Sequence, residues 1–106
     1  QQGRQCGVAG LRLHRQLATH LDTGVLDDWV PTIRRNVERL RHRVQGEPHV
    51  SNLGRWEVLV EQRDVPGLRR VMTGLDTDSV QMREVSPLGG LLPQSERAKV
   101  LAVVGR

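Results

Sequence analysis

The sequence lacks phenylalanine and tyrosine, so that Trp29 and Trp56 are its only aromatic residues apart from histidine. Its single cysteine, Cys6, excludes an intrachain disulfide and therefore a disulfide-stapled secreted scaffold. The longest apolar run, VLAVV at 100–104, has five residues, which is too short for a signal peptide or a membrane span. These absences predict a cytoplasmic protein that has no membrane segment. Its core must consist of leucine and valine, with the two tryptophans as large fillers.

Lysine is also scarce, because every one of the 16 cationic residues except Lys99 is arginine. This bias is typical of a GC-rich coding sequence and favours a bacterial source. The formal net charge of +4 is modest for a nucleic-acid-binding protein. It is also uneven: residues 1–50 carry eight arginines against five acids, and residues 51–106 carry eight cations against seven acids. A site for an anion is therefore expected in the first half of the chain.

The length of 106 residues, with 37% hydrophobic and 26% charged residues, is typical of one globular domain. We interpret residues 1–7 as a flexible N-terminal tail and residues 8–106 as a single helical domain. Hydrophobic spacing predicts an all-α fold, a small bundle of five to six short helices. The expected helices lie at about 8–21, 24–30, 32–45, 52–62, 65–73 and 93–104, with a further helical turn in SVQMREV at 79–85.

Several residues set these expected boundaries. Pro31 removes a backbone donor and should kink or restart the helical segment around it. Ser51 and Asp64 are the expected N-caps of the helices that follow them, and Asp76 or Asp78 is a further expected helix cap.

The stretch IRRNVERLRHRV, residues 33–44, combines an apolar seam with an arginine stripe. Its apolar residues fall within an arc of about 60° at 100° per residue, which predicts a buried seam. Arg35, Arg39 and Arg43 are spaced i, i+4, i+8 and rise about 6 Å apiece along the axis, so they form one stripe. Glu38 can relieve four cations that lie three or four positions away, but it serves Arg39 and Arg43 poorly; the four are Arg34, Arg35, Arg41 and His42. A stripe with little internal compensation favours phosphates or a carboxylate-rich partner, and a solvated helix face is the alternative.

A second basic segment, LVEQRDVPGLRRVMTG at 59–74, has an apolar helix end, a small turn, then Val65 and Pro66 opening a helix that closes at Gly74. This segment resembles the repressor-type helix-turn-helix of bacterial regulators over 16 of the 106 residues. The resemblance implies that Arg69 and Arg70 face bases or phosphates of duplex DNA. The segment departs from the family pattern because about two residues are missing before the glycine. A plain helical hairpin is the alternative interpretation.

The remaining motifs do not predict catalytic or metal chemistry. DTDSVQMRE at 76–84 has a valine and a glutamine where a calcium loop needs a ligand and a glycine. His14 and His20 are six positions apart and so point to different helix faces. SPLGG at 86–90 is not followed by the lysine of a P-loop, and no serine has a nucleophile-elbow context. We therefore expect no enzyme activity, no cofactor and no metal.

The leading hypothesis is a non-catalytic bacterial regulatory or binding module, associated with duplex DNA or an acidic protein. Its nucleic-acid or anion-binding residues would be Arg35, Arg39, Arg43, Arg69 and Arg70. The alternative is a protein-interaction module, an adaptor or homo-oligomer, that uses the apolar loop SPLGGLL at 86–92. Leu88, Leu91 and Leu92 of that loop either dock on a partner or close over the protein's own core.

Overall fold

Six α-helices and their short connections make up the part of the chain that the computed structural model describes, the backbone of residues 2–104 and the side chains of residues 10–102. In chain order the helices are α1 (Gln2–Ala18), α2 (Thr23–Arg41), α3 (His49–Glu61), α4 (Val65–Thr73), α5 (Thr77–Arg83) and α6 (Gln94–Val104). No strand occurs within residues 2–104. The predicted all-α bundle of five to six short helices is therefore confirmed.

Helices α4 and α5 begin where their capping residues predict. The Asp64 carboxylate accepts the backbone N–H of Gly67 at 3.0 Å. The Asp76 carboxylate accepts the backbone N–H of Ser79 at 3.1 Å. Each cap satisfies one of the amide donors that a helix N-terminus leaves without an intrahelical partner. Both helix starts are thus set locally, within three residues of the cap.

Helix α2 differs from the prediction, because it runs without interruption through Pro31. The predicted break at this proline is wrong. The physical reason is a buried apolar seam at spacings of three and four that continues across the proline, formed by Leu26, Val30, Ile33 and Val37. The burial of that seam outweighs the hydrogen bond lost at Pro31. The helix also ends at Arg41, earlier than the predicted 45, so Arg43 lies in the following turn.

Helices α1 and α3 also have different starts from those predicted. Helix α1 begins at Gln2 rather than near residue 8. The predicted tail, 1–7, lies outside the residues whose side chains are described, and its flexibility stays a prediction. Helix α3 begins at His49 after Pro48, and Ser51 lies inside its first turn, so Ser51 as the N-cap is wrong.

The core centres on Trp56 of α3, whose side chain is fully buried. Its indole N–H donates to the backbone carbonyl of Met82 at 2.6 Å, which pairs the polar edge of the ring. Helix α3 packs against α2, α4 and α5, and α1 packs against α4, α5 and α6. The radius of gyration of 13.1 Å is close to the roughly 13 Å expected of a compact chain of this length.

Candidate anion-binding site

The arginine stripe lies on the surface of α2 and the turn that follows it. Arg35, Arg39 and Arg43 are all exposed. Arg35 donates from Nη2 to the hydroxyl of Thr32 at 3.1 Å, and Arg39 donates to the side-chain oxygen of Asn36. Among the described residues, no carboxylate lies within 4.0 Å of any of the three guanidinium groups. We call these three residues the α2 ridge.

Other arginines of the chain do have carboxylate partners. Arg34, on the same helix, donates to both oxygens of Glu61 at 2.9 and 2.7 Å. This contact raises the pKa of Arg34 and lowers the pKa of Glu61. Among the described side chains, five arginines lie within 4.0 Å of a carboxylate: Arg34, Arg41, Arg55, Arg63 and Arg70. Glu38 lies 3.4 Å from His42 and so does not compensate the ridge. The ridge is thus a row of three exposed arginines with no carboxylate in contact, a state that it shares with other described arginines such as Arg69 and Arg83.

The loop 86–90 is held against the ridge by Asn36 of α2. The buried side-chain amide of Asn36 donates to the backbone carbonyls of Pro87 at 2.8 Å and Gly89 at 2.9 Å. Its oxygen accepts from Arg39. One asparagine therefore fixes the loop and orients a ridge arginine at the same time.

A second contact holds the loop from the side of α1. His14, which is buried, lies with Nε2 2.7 Å from the hydroxyl of Ser86 and with Nδ1 2.5 Å from the backbone carbonyl of Gly10. A carbonyl only accepts, so Nδ1 carries the proton and Nε2 accepts from Ser86 in the neutral ring. Burial lowers the pKa of His14, against the effect of the Gly10 bond, and the charge of Arg83 lowers it further. The neutral ring therefore suits this position.

Two cavities flank the loop. The first, which we call the α2 cleft, has a volume of about 220 Å³ and is lined by Asn36, Arg39, Leu40, Arg43, Ser86 and Gly89. The second, the His14 pocket, has a volume of about 240 Å³ and lies between the loop and helices α1, α5 and α6. Ser86 and Gly89 line both. The structure thus brings Arg39 and Arg43 into one cleft, while Arg35 lies one helical turn away.

Arg69 and Arg70 lie on α4 and are occupied by contacts within the chain. Arg69 donates to the backbone carbonyl of Leu21 at 3.1 Å. Arg70 donates to Asp76 at 3.1 Å and to Asp78 at 2.8 Å. Asp78 also binds Arg55, and these two arginines hold the pKa of its carboxyl well below the usual range, Arg55 having the larger effect. Helices α3 and α4 do form a helical hairpin, but the charge of Arg70 is compensated there.

The apolar loop closes over the protein's own core. Leu88 and Leu92 are buried members of the core cluster, and Leu91 is partly buried against it. Of the two alternatives for SPLGGLL, the structure therefore has the one in which the leucines cover the core. In this conformation Leu88 and Leu92 offer little surface for a partner.

Sequence reasoning missed three site residues, His14, Asn36 and Ser86. Asn36 had a detectable signal, because it is an uncharged polar residue three positions after Ile33, at the edge of an apolar seam. The contact between His14 and Ser86 joins residues 72 positions apart, and no local sequence pattern predicts such a contact. The described residues include no cluster of three His, Cys, Asp or Glu side chains fit to hold a metal ion.

No helix in the described part of the chain combines the length and apolar character needed to cross a membrane. Comparison with protein-family models, with curated proteins and with solved structures finds no match to this chain. The proposals below therefore depend on the geometry of the chain itself.

Proposed function

We propose that the protein is a non-catalytic binding module that holds the phosphate backbone of duplex DNA. Arg39 and Arg43 of the α2 cleft are the principal contacts, and Arg35 extends the same row. The observation that carries this proposal is the absence of a carboxylate partner for these three exposed guanidinium groups among the described residues. An exposed guanidinium without a carboxylate partner forms strong charge-assisted hydrogen bonds when it contacts a phosphate.

The arrangement of the ridge suits a polymer with repeating charge. Arg35 and Arg39 are one helical turn apart, about 6 Å along the axis, so the ridge presents its charges in a row. Each neutralised phosphate releases condensed counterions, and this release drives binding. Contacts to phosphates fix position but do not read sequence. We therefore expect binding with little sequence preference and a Kd of about 10⁻⁴ to 10⁻⁶ M at physiological salt.

The fixed loop helps the ridge to keep this geometry. Asn36 orients Arg39 and at the same time holds the carbonyls of Pro87 and Gly89. An arginine that is already positioned loses less conformational entropy when it binds a phosphate. The bacterial and cytoplasmic setting of this proposal comes from composition alone.

Two double variants test the proposal. Arg39→Gln with Arg43→Gln removes two charges from the cleft, and the control, Arg34→Gln with Arg41→Gln, removes two charges that Glu61 and Glu57 already compensate. We expect the cleft variant to weaken binding of a fluorescent duplex at low salt by at least about tenfold, since each charge-assisted contact contributes more than about 1 kcal/mol. The affinity of the control for the duplex should fall much less, although its net charge changes by the same amount.

Fluorescence anisotropy measures both affinities, and circular dichroism confirms that the variants fold. Equal losses in the two variants would show that only net charge matters. No binding of the wild-type protein to duplex DNA would contradict the proposal and leave an acidic protein as the partner to test.

A further inference from the structure

The His14 pocket, on the other side of loop 86–90, has features that the proposed DNA contact does not use. Its polar lining consists of His14, Arg83, Glu84, Ser86 and Arg97, and leucines and glycines complete the wall. None of the three ridge arginines lines it. Its volume of about 240 Å³ is below the roughly 300–1,000 Å³ of a typical small-molecule site, so it suits a small ligand.

Arg83 is a partly desolvated cation without an acidic partner. Its Nη1 donates to the backbone carbonyl of Val71 at 2.9 Å, and among the described residues no carboxylate lies within 4.0 Å of its guanidinium. Burial lowers the pKa of Arg83, the charge of Asp76 raises it to a smaller extent, and Arg15 lowers it. A partly desolvated cation with no carboxylate in contact is unfavourable, and an anion in the pocket would relieve it.

The charges around His14 are mainly positive. Helix α5 contributes Arg83, its C-cap is the acid Glu84, and α6 contributes Arg97. On α1 itself the neighbouring cation is Arg15. Helix α3 contributes only the uncharged ring of Trp56, whose centroid lies 6.2 Å from that of His14. Protonation of the ring is thus opposed by burial and by the charge of Arg83, and an anion in the pocket would offset the effect of Arg83.

We propose that the His14 pocket binds a small doubly charged oxyanion of the phosphate-monoester class, between Arg83 and Arg97, and that His14 takes up a proton when the anion binds. The protonated ring donates from Nε2 to the oxygen of Ser86. The hydroxyl hydrogen of Ser86 is then free to turn toward the anion, so that Ser86 becomes a further donor. Linkage requires that a ligand which favours the protonated ring binds more tightly as the pH falls.

Glu84 and Arg97 should affect the affinity for an anion in opposite directions, and this gives a test. Glu84 lines the same pocket, and its negative charge repels an anion. Glu84→Gln should therefore tighten binding, and Arg97→Gln should weaken it. Arg97 is exposed, so its replacement leaves the core intact. Arg34→Gln is the control, because it removes one charge from outside both cavities.

The probe is inorganic sulfate, which keeps its double charge across the pH range of the experiment. Isothermal titration calorimetry at about pH 6 and about pH 7.5 measures its Kd for the wild type and the three variants. We expect saturable binding that is tighter at the lower pH. At that pH, titrations in two buffers of different ionisation enthalpy should show proton uptake. Arg97→Gln should weaken binding by about tenfold, the usual scale for one charge-assisted contact. Arg34→Gln should leave the Kd for sulfate unchanged.

Three results would overturn this inference: no saturable binding of sulfate, equal losses of sulfate affinity in Arg97→Gln and Arg34→Gln, or binding without proton uptake at the lower pH. The inference is independent of the DNA proposal, because its residues lie in the other cavity. A protein that binds DNA but not sulfate would refute only the pocket, and a protein that binds sulfate but not DNA would refute only the ridge.

Discussion

Asn36 is the residue on which the candidate site depends most. Its amide nitrogen supplies both hydrogen bonds that join α2 to loop 86–90, and its oxygen accepts from Arg39. The bond to Pro87 is buried, so that carbonyl would not regain an equivalent partner if the amide were removed, whereas the exposed Gly89 could accept from water. A buried polar group that loses its partner destabilises a protein by about 1–3 kcal/mol.

We therefore expect Asn36→Ala to lower the free energy of unfolding by about 2–3 kcal/mol. Asn52→Ala is the matched control, since Asn52 is also buried in a helix but its amide nitrogen has no partner among the described residues. The free energy of unfolding of the control should fall by less than about 1 kcal/mol. The reason is that only the side-chain oxygen of Asn52 makes a hydrogen bond, which it accepts from Arg55. Urea denaturation measures both values. If the two variants were equally destabilised, Asn36 would not be holding the loop.

At the scale of elements, the sequence predicted what is encoded locally. The starts of α4 and α5 follow from Asp64 and Asp76, because a cap acts on amides two or three residues away. The continuity of α2 through Pro31 could not be predicted in this way. There the local signal for a break was outweighed by packing against the rest of the bundle, which lies far away in sequence.

The continuity of α2 through Pro31 gives a prediction for this proline. Pro31→Ala restores the missing N–H in a helix interior, where proline costs about 3 kcal/mol. Part of the gain is offset because alanine makes the unfolded chain more flexible. We expect the free energy of unfolding to rise by about 1–2 kcal/mol.

The control for this prediction is Pro66→Ala. Pro66 lies in the first turn of α4, where its missing N–H leaves no intrahelical bond unmade, so this variant should be neutral or slightly destabilised. Thermal or urea denaturation of both variants checks the pair. A Pro31→Ala variant that is less stable than the wild type would show that α2 is not a continuous helix with a missing bond.

At the scale of the whole molecule, an arginine is available to an anion when it has no carboxylate partner, and this does not depend on its position in the sequence. The excess of arginine in residues 1–50 predicted an anion site in that half, and the unpaired ridge lies there. Folding also brings Arg83 and Arg97, from the second half, to the opposite side of the same loop. Composition alone could not show this, because which arginines receive a carboxylate is decided by contacts between distant helices, such as that of Arg34 with Glu61.

The central claim is that the unpaired ridge, and not the overall charge, binds phosphates. The most direct measurement is the slope of log K against log salt concentration for duplex DNA, in the wild type and in the two double variants described above. Each lost phosphate contact should reduce the slope by about 0.9. We predict that Arg39→Gln with Arg43→Gln reduces the magnitude of the slope by about 1.8. We predict that Arg34→Gln with Arg41→Gln leaves the slope nearly unchanged. Identical slopes in all three proteins, or an equal reduction in both variants, would contradict the claim.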